Sequence, residues 1–162
     1  MFEAKIADAG YLGPVASDGI RALAARQLKR RSRLRAKRQI DGLPERLEVG
    51  ERVLYLATAT RGTSCNLLAA TDRRLIVLRG GVRELEGLRY DNMRSLAATR
   101  ERLRSRLEIR MDTGDVVLDG IHDQFEEICR LVHARMWEAS VERLGEHAAV
   151  KPHTLIGRAS FA

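Results

Sequence analysis

Alternation of apolar and polar residues dominates the middle of the chain. From Leu103 to Met111, apolar or small side chains alternate with charged ones, which is typical of a strand with one buried and one solvent-facing side. Turn-forming residues at 61–64, 80–81 and 112–115 separate further apolar segments. The pattern predicts about seven short strands, at 52–60, 66–71, 74–78, 82–88, 93–99, 103–111 and 116–118.

Two segments have helical rather than alternating spacing. The first runs from Ile20 to about Gln39 without glycine or proline, and one side of it carries Ile20, Leu23, Ala24, Gln27, Leu28 and Leu34. Arg31 and Arg38 interrupt that side, so its second half is charged nearly all round. The second helix is predicted from Asp119-Gly120 to about Leu144, with an apolar stripe made of Ile121, Phe125, Ile128, Cys129, Val132 and Met136.

This order of elements predicts an α+β fold that is mainly β. We expect a bent antiparallel β-sandwich or barrel of about seven strands, capped by the C-terminal helix and preceded by a basic N-terminal helix. The chain divides into an arm and basic helix over 1–46, a β-rich domain over 47–145 and an irregular tail over 146–162. With 162 residues, one domain with an appendage fits better than two full cores.

Composition narrows the chemistry. The two cysteines, Cys65 and Cys129, have neither CxxC nor Cys/His spacing, so we expect no metal site and no disulfide framework. No nucleophile elbow, P-loop or dinucleotide fingerprint occurs, and we expect no cofactor, no small-molecule substrate and no catalytic residue. The N-terminus lacks a signal-peptide pattern and no apolar run is long enough to span a bilayer, so we expect a cytoplasmic protein.

Positive charge is concentrated in the first helix. Of 29 basic residues, nine lie between positions 21 and 38 without an intervening acid, and the remaining 20 face 22 acidic residues. Nine neighbouring cations repel one another unless counter-charge is close. These residues form the candidate anion- or partner-binding site: Arg21, Arg26, Lys29, Arg30, Arg31, Arg33, Arg35, Lys37 and Arg38.

Three segments resemble bacterial pleckstrin-homology-like (PH-like, GRAM-related) domains. Residues 47–53 resemble their L-x-x-G-E-x-V opening, residues 67–78 are similar to a hairpin with an L-T-D-x-R-L core, and residues 88–96 resemble an I-x-Y-x-x-I-x-S-I segment. The resemblance covers about 47–144 and implies a non-enzymatic domain that binds lipid headgroups or proteins. In phosphoinositide-binding relatives the first hairpin carries several basic residues, whereas here it supplies only Arg61.

Together these features predict a binding or adaptor module at a protein or anionic membrane surface, to which the basic helix contributes anion contacts. The partner is then a protein or an anionic lipid surface, and the protein is peripheral to the inner membrane surface. The alternative is a nucleic-acid-binding protein that uses the same arginines on phosphates. The segment Thr71-Asp72-Arg73-Arg74 has two interpretations, an anion-binding loop or ordinary turn chemistry. No oligomeric state follows from the sequence.

Overall fold

The computed structural model describes residues 14–61, 64–80, 85–102 and 104–145. The predicted irregular tail over 146–162 lies outside the described residues, and so does most of the arm that precedes the first helix. The start of the predicted fourth strand, at 82–84, lies outside them too, as do turn residues 62–63 and 81 and strand residue 103.

The first sheet is a five-stranded antiparallel sheet in the order β4-β3-β2-β1-β8. Its central pair, β1 and β2, is in register with Ala57 opposite Leu68. The strands are β1 (Val53–Arg61), β2 (Ser64–Thr71), β3 (Arg74–Leu78), β4 (Leu85–Arg89) and β8 (Ile121–His122). β8 contributes only two residues, which lie opposite Thr58 and Ala59 of β1, so the outer edge of β1 is covered by a strand only there.

The second sheet contains three antiparallel strands in the order β5-β6-β7. They are β5 (Met93–Glu101), β6 (Arg104–Met111) and β7 (Gly114–Asp119). The alternation predicted for β6 is confirmed, because Leu107 and Ile109 are buried while Arg106 and Glu108 are exposed. One face of this sheet therefore contributes to the core and the other faces solvent.

The C-terminal helix, α4 (Phe125–Gly145), begins later than the sequence pattern predicts. The chain turns at Gly120, where φ is +67°, and the next two residues form β8 rather than the first helical turn. Asp123 and Gln124 also have positive φ, at 50° and 43°, and only after them does the backbone become helical. The predicted start at Asp119-Gly120 was therefore wrong by about one and a half turns.

The main core lies between the two sheets and α4. Each sheet contributes alternate side chains of its strands, and α4 contributes the stripe that begins at Phe125. The largest fully buried members are Leu68, Leu75, Val77, Met93, Leu107, Ile109, Ile121, Ile128 and Val132. Aliphatic side chains make up most of this core, with Tyr90 and Phe125 as its buried aromatic members.

A second core lies on the opposite face of the first sheet. Three short helices, α1 (Pro14–Gln27), α2 (Arg30–Arg35) and α3 (Lys37–Gly42), are followed by a 3-10 helix (Leu43–Arg46) and pack against β1, β2 and β3. The strands supply Leu56, Cys65, Leu67, Ala69, Ile76 and Leu78 to this interface. The predicted α+β class, with two antiparallel sheets, a closing helix and a preceding basic helical segment, is confirmed.

Candidate anion-binding surface

The N-terminal helices are anchored to the sheet by a row of buried apolar side chains. Ile20, Ala24 and Leu28 project from α1 and the residue just after it; Ala36, between α2 and α3, and Ile40, on α3, follow. Ala24 and Ala36 are completely inaccessible to solvent, so the helix backbones approach the sheet closely. The basic segment is therefore fixed on the β-domain and shares a core with it.

The predicted single helix from Ile20 to Gln39 is broken after α1, which corrects that expectation. Lys29 has an extended backbone, with ψ at 149°, and separates α1 from α2. Two residues before α4 contact this break: the Lys29 N–H donates to the Asp123 carboxylate at 3.4 Å, and the Gln124 amide donates to the Gln27 carbonyl at 3.3 Å. These contacts supply partners for backbone groups that an uninterrupted helix would pair internally.

The break changes which side of the basic segment faces the sheet. Leu34 was predicted on the packed stripe of a continuous helix, but it is 65% exposed. The segment bends again at Ala36, where φ is −92° and ψ is 11°: the Ala36 N–H makes the last bond of α2, to the Ser32 carbonyl, and the Ala36 carbonyl accepts the first bond of α3, from the Ile40 N–H, both at 2.9 Å. Ala36 is buried, whereas Leu34, two residues before it, faces solvent.

Eight of the nine predicted site residues are exposed, and Arg33 is half-buried. Three of the nine pair with acids. Asp41 accepts from Arg21 at 3.1 Å and from Lys37 at 2.9 Å, while Lys29 lies 4.0 Å from Asp123. Hydrogen bonds from Lys37 and then Arg21 hold the pKa of Asp41 below its usual range. These three cations are thus partly neutralised within the fold.

The remaining exposed cations form what we call the basic surface, which consists of Arg26, Arg30, Arg31, Arg35 and Arg38. Among the described residues, no carboxylate lies within ion-pair distance of these five guanidinium groups. Arg33, by contrast, turns its guanidinium back to the Ala25 carbonyl at 3.4 Å. The basic surface therefore presents guanidinium N–H donors without a carboxylate acceptor among the described residues. Such donors are suited to binding phosphate or carboxylate groups.

The residues behind the family resemblance meet in one buried polar network. Glu51, from the first segment, accepts hydrogen bonds from Arg74 and from the Thr71 hydroxyl at 2.7 Å. Tyr90, from the third segment, donates its hydroxyl to the Thr71 carbonyl at 2.8 Å. The network thus ties the residue pair before β1 to β2, to β3 and to the 3-10 turn before β5.

Ionisation in this network follows from burial and partners. Burial alone would raise the pKa of Glu51, but hydrogen bonds from Arg74, the Glu48 N–H and Thr71 outweigh it, so the pKa is lowered. Burial raises the pKa of Tyr90 above its ordinary value of 10.0, so the phenol stays protonated well into the alkaline range. The charged Glu51 carboxylate and the neutral Tyr90 phenol therefore both serve as hydrogen-bonding partners that hold the strands together.

The turn at Thr71-Asp72-Arg73-Arg74 uses its charges internally. The Asp72 carboxylate accepts the Arg52 N–H at 2.9 Å, and Arg73 pairs with Glu48 at 3.2 Å. The Thr71 hydroxyl accepts the N–H groups of Arg73 and Arg74, at 3.1 and 3.0 Å. Ordinary turn chemistry, and not an open anion-binding loop, describes this segment.

Many cations elsewhere on the described surface pair with acids, although the exposed Arg79, Arg102 and Arg130 have no carboxylate within ion-pair distance among the described residues. Arg106 contacts Glu108 at 2.7 Å, Arg110 contacts Asp115 at 3.6 Å, and Arg94 pairs with Asp112.

In the described part of the chain, no group of three or more His, Cys, Asp or Glu is placed to hold a metal ion. The described helices also include none long and apolar enough to span a bilayer. The side chain of Arg61 lies outside the described residues.

The two antiparallel sheets and the closing helix form an α+β sandwich that is consistent with a PH-like arrangement, with helices added on the outer face of the first sheet. No protein-family model matches the chain, and no curated protein matches it. Among solved structures, the chain is similar to a DUF1696 family protein with a pleckstrin-homology domain from Shewanella loihica PV-4. The two are 12% identical, the match covers 62% of this chain and 95% of the other, and the TM-score is 0.48.

Proposed function

We propose that this protein is a non-enzymatic PH-like binding module, related to the bacterial GRAM-type domains, that acts as an adaptor through its basic surface. The observation that carries the proposal is the set of five exposed guanidinium groups without a carboxylate partner among the described residues, on helices anchored by a buried apolar row. The partner is a polyanionic surface, and the protein works in the cytoplasm, peripheral to the membrane.

Physical chemistry favours an external partner for the basic surface. α2 contains four arginines in six residues, and like charges at helical spacing destabilise the helix that carries them. In this fold the arginines of the basic surface face outward and are not paired with acids among the described residues. Asp41, which pairs with Arg21 and Lys37, shows that an acidic residue can lie beside this segment. A phosphate-rich partner supplies the missing counter-charge.

Binding assays on the full chain test this proposal. The triple variant Arg30→Ala/Arg31→Ala/Arg38→Ala is compared with the wild type for binding to phosphatidylserine–phosphatidylcholine vesicles and to duplex DNA. The matched control is Arg94→Ala/Arg106→Ala/Arg110→Ala, which removes the same charge from arginines that pair within the second sheet.

We expect the wild type to bind at least one of the two polyanions with strong salt dependence. The triple variant should lose about 1 kcal/mol for each arginine removed, while the control retains most of its binding. If both variants lose the same binding free energy, the loss reflects net charge alone and the proposal is contradicted. Absence of binding by the wild type to either polyanion at low ionic strength would contradict it as well.

A further inference from the structure

Leu34 is a large apolar side chain that lies among the arginines of the basic surface. At 65% exposure it is among the most exposed large apolar residues of the described chain. Its neighbours at helical spacing within α2 are Arg30 and Arg31, and Lys37 and Arg38 follow at the start of α3; all four are exposed. Leu34 is therefore exposed on the same side of α2 as these arginines, and a partner that binds the arginines also contacts Leu34.

The geometry of the helix makes this placement quantitative. Within α2, at about 100° between successive residues, Arg30 lies about 40° to one side of Leu34 and Arg31 about 60° to the other. Ser32, about 160° from Leu34 on the same projection, is half-buried, as an outward-facing Leu34 requires. Leu34 thus marks the centre of the outward face, with guanidinium groups on both sides of it.

A nucleic acid and an anionic membrane differ in the contacts that they make available to the exposed Leu34 side chain. Phosphates of a duplex satisfy the arginines, but a leucine at the charged and hydrated backbone contributes only where it reaches a base edge or wedges between bases. An anionic bilayer satisfies the arginines with its headgroups and also accepts an apolar side chain at the boundary of the acyl chains. The stems of the arginines lie along the same boundary while their charges stay in the headgroup layer.

We propose that the polyanionic partner is an anionic lipid bilayer, and that Leu34 inserts into it while Arg30, Arg31 and Arg38 contact the headgroups. The inference rests on the proposed function, because it names the partner of that same basic surface. It requires no bound lipid of a particular headgroup, since the arginines contact negative charge and the leucine contacts hydrocarbon.

The test uses the full chain and vesicles of phosphatidylserine and phosphatidylcholine, with pure phosphatidylcholine vesicles and duplex DNA as the other arms. Leu34→Ser removes the apolar side chain and leaves every charge in place. The matched control is Val49→Ser, because Val49 is equally exposed, at 66%, but lies in the turn before β1.

Leu34→Ser should lower the partition coefficient onto anionic vesicles about tenfold, because roughly half of a leucine's transfer free energy is lost. Val49→Ser should leave partitioning unchanged. A second readout is the double variant Leu34→Trp/Trp137→Phe, which holds a single indole at position 34. Its emission should shift to the blue on anionic vesicles and be quenched by lipids brominated along the acyl chain.

Each outcome separates this inference from the proposed function. If Leu34→Ser binds vesicles like the wild type while the triple arginine variant loses binding, insertion is wrong and the basic surface stands. If the protein binds DNA but no vesicle, the partner is nucleic acid and the inference is overturned. If it binds neither, both proposals fail together.

Discussion

Arg74 donates two parallel hydrogen bonds to Glu51, from Nε to Oε1 and from Nη2 to Oε2, each at 3.0 Å. The Glu51 side chain is fully inaccessible to solvent, and Arg74 is 18% exposed. The Glu48 N–H, at 2.8 Å, and the Thr71 hydroxyl also donate to the same carboxylate. A buried charge with this many donors is stable in place, but it depends on every one of them.

Replacing Arg74 should therefore destabilise the fold strongly. Arg74→Met keeps much of the side-chain volume but leaves the Glu51 charge buried without its partner, and we expect a loss of about 3–5 kcal/mol in the free energy of unfolding. Urea denaturation followed by circular dichroism measures it. Arg73→Met is the control, because its ion pair with Glu48 is largely exposed and should contribute less than about 1 kcal/mol. Equal losses in the two variants would contradict the structural role of the network.

The same carboxylate predicts how stability changes with pH. Because the pKa of Glu51 is lower in the folded protein than its ordinary value of 4.5, the folded state holds this proton less tightly than the unfolded state. The stabilisation is complete above pH 4.5 and is lost as the pH falls through the lowered folded value. Urea midpoints measured between about pH 6 and about pH 3 should fall less steeply for Glu51→Gln than for the wild type. Parallel slopes would show that other carboxylates control acid unfolding.

Much of the β-domain was predictable because its periodicity is local. Alternation at Leu107 and Ile109 placed β6 correctly, and the turn residues placed most strand ends within a few positions. The second core was not predicted, although the strand β3 is apolar at four consecutive positions, Leu75 to Leu78. Such a run indicates a strand buried on both faces, and here α1–α3 cover the second face.

The surface was predictable in composition but not in geometry. All nine cations could be named from the sequence, yet Leu34 was assigned to the wrong side because a helical projection assumes an unbroken helix. The break at Lys29 is contacted by Asp123 and Gln124, which are more than ninety positions away in the chain. Long-range contacts of this kind leave no local signal. The network of Glu51, Thr71 and Tyr90 likewise joins residues whose proximity only the fold reveals.

Gly120 should not tolerate a side chain. Its φ is +67°, and a Cβ built there would clash with the Thr60 carbonyl oxygen. Its own carbonyl accepts the Thr60 N–H at 2.9 Å, so the two backbones cannot separate without losing this bond. We expect Gly120→Ala to destabilise the protein by more than about 2 kcal/mol, measured as a lower urea midpoint. Gly145→Ala, where no atom lies within 4 Å of the added Cβ, should change stability by less than about 1 kcal/mol. A Gly120→Ala protein as stable as the wild type would contradict this close approach.

Gln27 completes the hydrogen bonding of β1 at the edge that β8 does not cover. Its side-chain oxygen accepts the Leu56 N–H at 2.8 Å and its nitrogen donates to the Leu54 carbonyl at 3.4 Å, so one amide takes the place of a neighbouring strand. Gln27→Met retains the volume but leaves both backbone groups without this partner. We expect a loss of about 1–3 kcal/mol and faster hydrogen exchange of the Leu56 amide, measured by nuclear magnetic resonance.

Gln39 provides the matched control for this prediction. Its nitrogen donates to the Cys65 carbonyl at 2.9 Å, but its oxygen is buried without a hydrogen-bond partner among the described residues. Gln39→Met therefore removes one unpaired buried acceptor together with one hydrogen bond, and it should cost less than Gln27→Met. Exchange of the Leu56 amide should be unaffected by it. If Gln39→Met destabilises the protein as much as Gln27→Met, glutamine packing, and not the completed edge of β1, explains the effect. In that case the docking of α1 on the sheet depends on its apolar row alone.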